Sequence, residues 1–301
     1  MIHVFIVNTA VCETAYAQKL RKALSEFQNL SYYVFSTRKP GHEKELVELL
    51  CRFFDNEELR FYCCGGSGTM RNMLEGIKDL SKAEVTMIPF GTSDFLKVFT
   101  DDYSHFRNLR AIIYGEVVYV DYIKSNLGIA LNEISFGANT DSLKIGENIK
   151  NAGFGLKRTP YLISTIYASF LAPNRLFDIS TDGYSTAGEK CTFSVFGNGA
   201  VMGGRFHIGL NDVVDDGYAT FATVMAKTPF RRMGVLRASA TEDRAYIKDC
   251  GFIGLSKRIK ARRSNGASFF VDMDGEIFPT VELEAEIVRQ GLKFVIPKRG
   301  V

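Results

Sequence analysis

The chain has 301 residues, 46% of them hydrophobic and 24% charged, with 27 glycines and only 7 prolines. That composition excludes disordered, collagen-like and low-complexity classes, and the length suits two domains better than one. Basic residues exceed acidic ones by 37 − 34 = 3 without gathering into a block, which gives no case for a nucleic-acid partner.

Over the first hundred or so residues, two periods alternate. Ile2–Val7, Ser31–Ser36, Leu59–Cys63 and Val85–Ile88 are near-continuous apolar runs, suited to strands buried on both faces of a parallel sheet. Between them, Tyr16, Leu20, Leu24 and Phe27 form one helical stripe, and Leu46, Leu49, Leu50 and Phe53 form the next, opened by Pro40-Gly41. This spacing predicts a doubly wound α/β layer with right-handed crossovers. Beyond Ala111 the texture changes. Val117–Tyr122, Ile129–Phe136, Leu176–Ser180, Thr192–Phe196, Tyr218–Val224, Ile253–Ala261 and Ser268–Val271 read as strands. Turn signals separate them at Asp182-Gly183, Asn198-Gly199, Asp216-Gly217 and Asp274-Gly275. Helices are predicted over Tyr161–Leu171, behind Thr159-Pro160, and over Pro229–Ala238. The expected class is therefore α/β + β. The α/β domain is expected over 1–115 and a mostly antiparallel β-sandwich domain over 116–301, its last residues able to pack back on the first domain.

The six cysteines form no CxxC pair and flank no histidine at zinc spacing, so they read as free, largely buried thiols. No leader pattern opens the sequence and no run of about 18 apolar residues interrupts it, which makes the cytoplasm the expected location.

Phe61-Tyr-Cys-Cys-Gly-Gly-Ser-Gly-Thr-Met70 carries a buried strand into Gly65, Gly66, Gly68 and Thr69 and then into a helix. Glycines admit a ligand close to the backbone, and a helix N-terminus attracts phosphate. The stretch is neither GxGxxG nor a P-loop, and a plain βα turn explains the glycines equally well. One βα unit later, Pro89-Phe-Gly-Thr-Ser-Asp-Phe95 brings Gly91 and Thr92 to the same sheet edge, where ligands of open α/β sheets collect. Asp94 there reads equally as a helix cap. In Val271-Asp-Met-Asp-Gly-Glu276, Asp274 and Glu276 could serve as a base and a nucleotide or metal contact, or as a solvated hairpin tip. Asp212, Asp215 and Asp216 have the oxygen ligands a hard cation takes, and equally make an acidic turn with no metal. Arg258, Lys260 and Arg262 alternate onto one strand face. A solvated, charge-protected edge strand explains them better than an anionic bilayer contact. His207 follows a glycine-rich stretch and could line a cleft, whereas His3, His42 and His105 have no evident role.

Taken in order, Gly-Gly-x-Gly-Thr, Pro-x-Gly-Thr-x-Asp-Phe, Gly-Asn-Gly with Gly-Gly, Asp-Gly and a late Asp-Gly-Glu resemble the diacylglycerol kinase catalytic-domain family. These are bacterial soluble lipid kinases related to sphingosine kinases. Asn132 and Gly137 match residues of the family's first sandwich hairpin, and Lys157–Ala172 is similar to its tyrosine-containing helix. The resemblance implies an α/β domain like that of phosphofructokinase or NAD kinase, a β-sandwich, and ATP bound in the cleft between them. It places nucleotide contacts at Asn8, Thr37, Gly65, Gly66, Ser67, Gly68, Thr69, Gly91, Thr92 and Glu276, and the catalytic base at Asp274. The implied partners are ATP with Mg²⁺ and a diacylglycerol-like lipid met at a membrane surface. Nucleic acid is not among them, and a homodimer is compatible with the family.

The departures fall in the nucleotide half. Ser67 and Asn72 stand where the family has acidic residues, the second loop is one residue shorter, Thr9 replaces a proline, and Arg205 and Leu210 replace a glycine and a proline. A hydroxyl replaces a carboxylate poorly around Mg²⁺, so magnesium handling is expected to be weakened. The alternatives are a catalytically silent relative that binds nucleotide or lipid as a sensor, or a kinase for another alcohol.

Overall fold

The computed structural model describes residues 1–13, 15–90, 93–138, 140–141, 175–199, 201–203, 206–207, 209–210, 213–226 and 228–300. The predicted helix over 161–171 lies outside them. The chain divides into two compact units, residues 1–122 with 289–301, and residues 123–288.

In the first unit, β1 (Ile2–Val7), β2 (Tyr32–Ser36), β3 (Leu59–Gly65) and β4 (Ala83–Pro89) form a parallel sheet in the order β2-β1-β3-β4. The late strand Glu282–Ile296 continues that order, pairing in parallel with β4 at Lys293 and Phe294. The Thr86 hydroxyl donates to the Val295 carbonyl at 2.7 Å, and Phe294 packs among Phe95, Phe99 and Phe106. Strands β1 and β3 are buried as continuous apolar runs should be. β2 is not: as the edge strand it is covered on one side only, and Tyr33 is exposed.

Crossover helices α1 (Tyr16–Leu24), α2 (His42–Phe53) and α3 (Ser67–Gly76) link the strands. The stripe expected on α2 is corrected here. Leu49 and Phe53 are 61% and 75% exposed, and the buried face is Glu43, Val47 and Leu50. Gly76 explains the rotation, because a Cβ there would meet the Lys44 carbonyl at 2.7 Å and Val47 Cβ at 2.9 Å. The two helices meet over this missing side chain, which turns Val47 rather than Leu49 inward.

The second unit is antiparallel. In one sheet Gly251–Ser256 (β14) pairs with Ala219–Val224 (β13), then Phe193–Gly197 (β10), Glu133–Gly137 (β7), Phe269–Met273 (β16) and Glu276–Thr280 (β17), the strands being numbered in chain order. The other pairs Glu282–Glu286 of the late strand with Arg258–Arg263, then Arg175–Thr181, then Ser185–Cys191. Phe136, Phe177, Phe221, Ile259, Val271 and Leu283 share one buried core, the interior of a β-sandwich.

Two runs predicted as single strands are each broken by an aspartate. Ile129–Phe136 splits at Leu131-Asn132, where Asp274 accepts backbone N–H groups. Ile253–Ala261 splits at Lys257, whose N–H goes to Asp182 at 2.7 Å. A helix does form at Pro229–Ala240, capped by Thr228.

Candidate functional site: a glycine loop and an aspartate turn

In the first unit, Asn8 follows β1, Thr37 follows β2 and Gly65 ends β3, all at the carboxyl edge of the parallel sheet. Backbone bonds lace these exits together: Thr37 N–H to the Val7 carbonyl at 2.9 Å, and Asn8 N–H to Cys64 and Phe90 N–H to Gly65, both at 3.0 Å. Thr9 adds two bonds to Thr37, its N–H to Oγ1 at 3.2 Å and its hydroxyl to the carbonyl at 2.9 Å.

The loop itself is shaped by which glycine is crowded. A Cβ on Gly65 would lie 2.6 Å from Thr69 Oγ1, so only glycine lets the strand end pass under the Thr69 side chain. A Cβ on Gly66 would meet no atom of the described residues within 4 Å. Gly66 is extended and precedes α3 with no side-chain cap, and the first helical bond is Met70 N–H to the Gly66 carbonyl at 3.1 Å. The backbone N–H groups of Ser67, Gly68 and Thr69 thus have no intrahelical acceptor, as in the first turn of any helix. Asn8 completes the arrangement. Its Nδ2 donates to Thr69 Oγ1 at 2.8 Å and to Glu43 Oε1 at 3.0 Å, while its Oδ1 accepts from Ala10 N–H at 2.9 Å. A phosphate group fits such a cradle of first-turn amides, a hydroxyl and a helix dipole.

The structure thus brings together Asn8, Thr37 and Gly65–Thr69, which were expected from the sequence. Gly91 and Thr92 lie outside the described residues. Ser67 opens α3, and Asn72 accepts from Arg71 at 2.9 Å, while Arg71 also pairs with Glu75 at 2.5 Å. Glu43 was missed. Apolar periodicity does not mark a carboxylate that occupies a buried helical position.

In the second unit, Asp274 and Gly275 have φ of +51° and +91° and form the two-residue turn between β16 and β17, with Met273 opposite Glu276. The Asp274 carboxylate, 8% exposed, accepts the N–H groups of Leu131 at 2.6 Å, Asn132 at 2.9 Å and Glu133 at 3.0 Å. Asn198 Nδ2 donates to the Leu131 carbonyl at 3.0 Å, and Asn132 Nδ2 to Val201 at 3.0 Å, so the Gly-Asn-Gly motif meets the Asp-Gly-Glu motif through one turn. Glu276 starts β17 and is half-buried. Asp272 was missed, although its spacing of two from Asp274 was visible. Burial, with the negative charges of Asp274 and Glu276 added, pushes its carboxyl up to about 7 against the Gly275 N–H that favours the ion.

Asp215 is exposed and Asp216 Oδ1 accepts from Tyr218 N–H at 2.9 Å, while Asp212 lies outside the described residues. Among the described residues, no group of three or more His, Cys, Asp or Glu is placed to hold a metal ion. Arg258, Lys260 and Arg262 pair with Asp182, Glu284 and Asp178, and their strand lies inside the sheet rather than at its edge. His207 lies 3.7 Å from Glu242. His3, given no partner from sequence, bonds the Tyr62 hydroxyl at 2.7 Å, and burial pushes it down to about 4. Ser93, not Asp94, occupies the cap position of the short 3₁₀ helix Asp94–Val98. All six cysteines are free, and burial raises Cys12, Cys63, Cys64 and Cys191, which makes them poor nucleophiles. No helix among the described residues is long and apolar enough to cross a membrane.

Comparison with known proteins follows the same division. Residues 3–124 match the diacylglycerol kinase catalytic domain. No curated protein matches the chain. Two solved structures from Bacillus anthracis strain Sterne, one described as a candidate diacylglycerol kinase and one as a diacylglycerol kinase, share 21% and 19% identity, with TM-scores of 0.71 and 0.67. Each comparison covers 99% of this chain and 98% of the other, which establishes the fold over essentially the whole length. Residues 3–124 thus match the diacylglycerol kinase catalytic-domain family that the ordered motifs resemble, within a chain that has the same fold as those two structures.

Proposed function

We propose that the protein is an ATP-dependent lipid kinase that phosphorylates the hydroxyl of a diacylglycerol-like alcohol. The observation that carries this reading is the Asn8–Thr69 bond over a glycine loop whose Gly66 would carry a Cβ clear of every described residue. Backbone N–H groups and the Thr69 hydroxyl hold the nucleotide phosphates there, with Thr37 beside them. Magnesium bound with the nucleotide would neutralise phosphate charge, and among the described residues no cluster of three or more His, Cys, Asp or Glu is placed to hold it apart from the nucleotide. In the transfer, the lipid hydroxyl oxygen bonds to the γ-phosphorus, the bond to the ADP oxygen breaks, and the hydroxyl proton passes to a carboxylate. Such chemistry needs positioning and charge neutralisation more than covalent help. Asp274 is the carboxylate the family resemblance assigns to the proton.

The test is transfer of labelled γ-phosphate from magnesium ATP to diacylglycerol in vesicles. Labelled lipid phosphate is expected, and its absence with glycerides and other alcohols alike overturns the proposal.

A second reading is favoured by one specific observation. Three N–H donors already engage the Asp274 carboxylate, which suits a structural tie as well as a base. On that reading the protein binds nucleotide without turnover. Tight ATP binding with no transfer, unchanged by Ser67→Asp with Asn72→Glu, supports it, whereas turnover raised by those substitutions supports an impaired kinase.

A further inference from the structure

We propose that Glu43 is a positioning residue of the phosphate loop, fixing the Asn8 carboxamide so that the Thr69 hydroxyl is kept as a donor. The inference rests on the reading of that loop as a phosphate site.

Glu43 is 3% exposed in the first turn of α2, just after Gly41 at φ +75°. A carboxylate this buried is costly unless it is hydrogen-bonded. Part of that compensation comes from Asn8 Nδ2 at 3.0 Å, and the same nitrogen gives its second proton to Thr69 Oγ1 at 2.8 Å. With Ala10 N–H donating to Asn8 Oδ1 at 2.9 Å, the carboxamide has one permitted orientation. Turning it over would set its carbonyl oxygen against a carboxylate and its NH₂ against an N–H.

That orientation sets the polarity of the next bond. A hydroxyl that accepts from Asn8 keeps its own proton to give, beside backbone N–H groups that also give. With the carboxamide reversed, Asn8 Oδ1 would accept the Thr69 proton, and the hydroxyl would turn a lone pair outward, which repels a phosphate oxygen. Glu43 therefore selects the donor state of a hydroxyl it does not touch.

The experiment compares Glu43→Gln, which keeps an acceptor oxygen, with Glu43→Ala, which removes it. Glu43→Met, which fills the space without an acceptor, replaces Glu43→Ala should that variant not fold. Two readouts are taken: ATP affinity by calorimetry, and hydrogen-exchange protection of the Asn8 side-chain amide by NMR. The acceptor-free variant is expected to bind ATP about tenfold more weakly and lose Asn8 protection, while Glu43→Gln stays within about twofold of wild type. Full Asn8 protection without the carboxylate overturns the inference, as does an equal loss of affinity in Glu43→Gln and the acceptor-free variant. Should the wild-type protein bind no ATP, the phosphate-site reading fails on that measurement, while Asn8 protection still decides whether Glu43 positions it.

Discussion

Asp274 Oδ2 accepts the backbone N–H of Leu131 at 2.6 Å, a bond between residues 143 apart in sequence. With the N–H groups of Asn132 and Glu133 it makes Asp274 the fastener between the β16–β17 turn and the break between β6 (Gly128–Ala130) and β7 (Glu133–Gly137). Asp274→Asn keeps the size, and asparagine tolerates the positive φ of +51°, so any cost is electrostatic. One oxygen becomes an NH₂ facing N–H donors. The expected loss is about 2 kcal/mol by urea denaturation, together with loss of phosphate transfer. Full transfer by a folded Asp274→Asn protein would remove Asp274 from the reaction.

Asp272 predicts a pH dependence whose sign is set by burial. Its carboxyl titrates at about 7 in the folded chain, against about 4 when unfolded. Between those values the folded state holds a proton that the unfolded state releases. The contribution is therefore fully present below about pH 4 and is lost as pH rises through about 7. Wild type should lose stability relative to Asp272→Asn as pH rises from about 4 to about 7 in urea melts, with no further divergence above that. Parallel curves would show that Asp272 ionises in the ordinary range.

Much of this was readable from the residues, and the exceptions have physical causes. The strand and helix order of the first unit follows from two clean periods, and the glycine loop is visible because Gly65–Thr69 interrupts both. The strand over 282–296 was not read, since the exposed Glu282, Glu284 and Glu286, which face charges on the neighbouring strand, outweigh the buried Leu283 and Ala285 between them. Ser185–Cys191 was missed for the same reason, being almost entirely exposed. Asp274 was found by resemblance, yet its hold on Leu131–Glu133 is a tertiary bond that no local pattern announces. Glu43 shows the same limit in the first unit, where a buried carboxylate breaks the apolar stripe used to orient the helix.

The rotated face of α2 gives a direct stability test. Val47 is buried against Gly76, while Leu49 is 61% exposed. Val47→Ala should cost about 2 kcal/mol, from lost burial plus the cavity it leaves. Leu49→Ala should fall within about 0.5 kcal/mol of wild type. Equal losses in chemical denaturation would restore the face expected from the leucine spacing.

Gly65 and Gly66 separate folding from binding at adjacent positions. A methyl on Gly65 meets Thr69 Oγ1 at 2.6 Å, so Gly65→Ala must displace a buried side chain and should cost about 1–3 kcal/mol. A methyl on Gly66 meets no atom of the described residues within 4 Å, and φ of −106° is open to alanine, so Gly66→Ala should fold within about 0.5 kcal/mol of wild type. On the proposed reading, the same methyl enters the space beside the first-turn N–H groups of α3, where a phosphate would lie. Gly66→Ala should therefore weaken ATP binding by about tenfold or more, a shift of about 1.4 kcal/mol measured by calorimetry. A Gly66→Ala protein that is as stable as wild type and binds ATP as tightly would show that the phosphate does not approach this face.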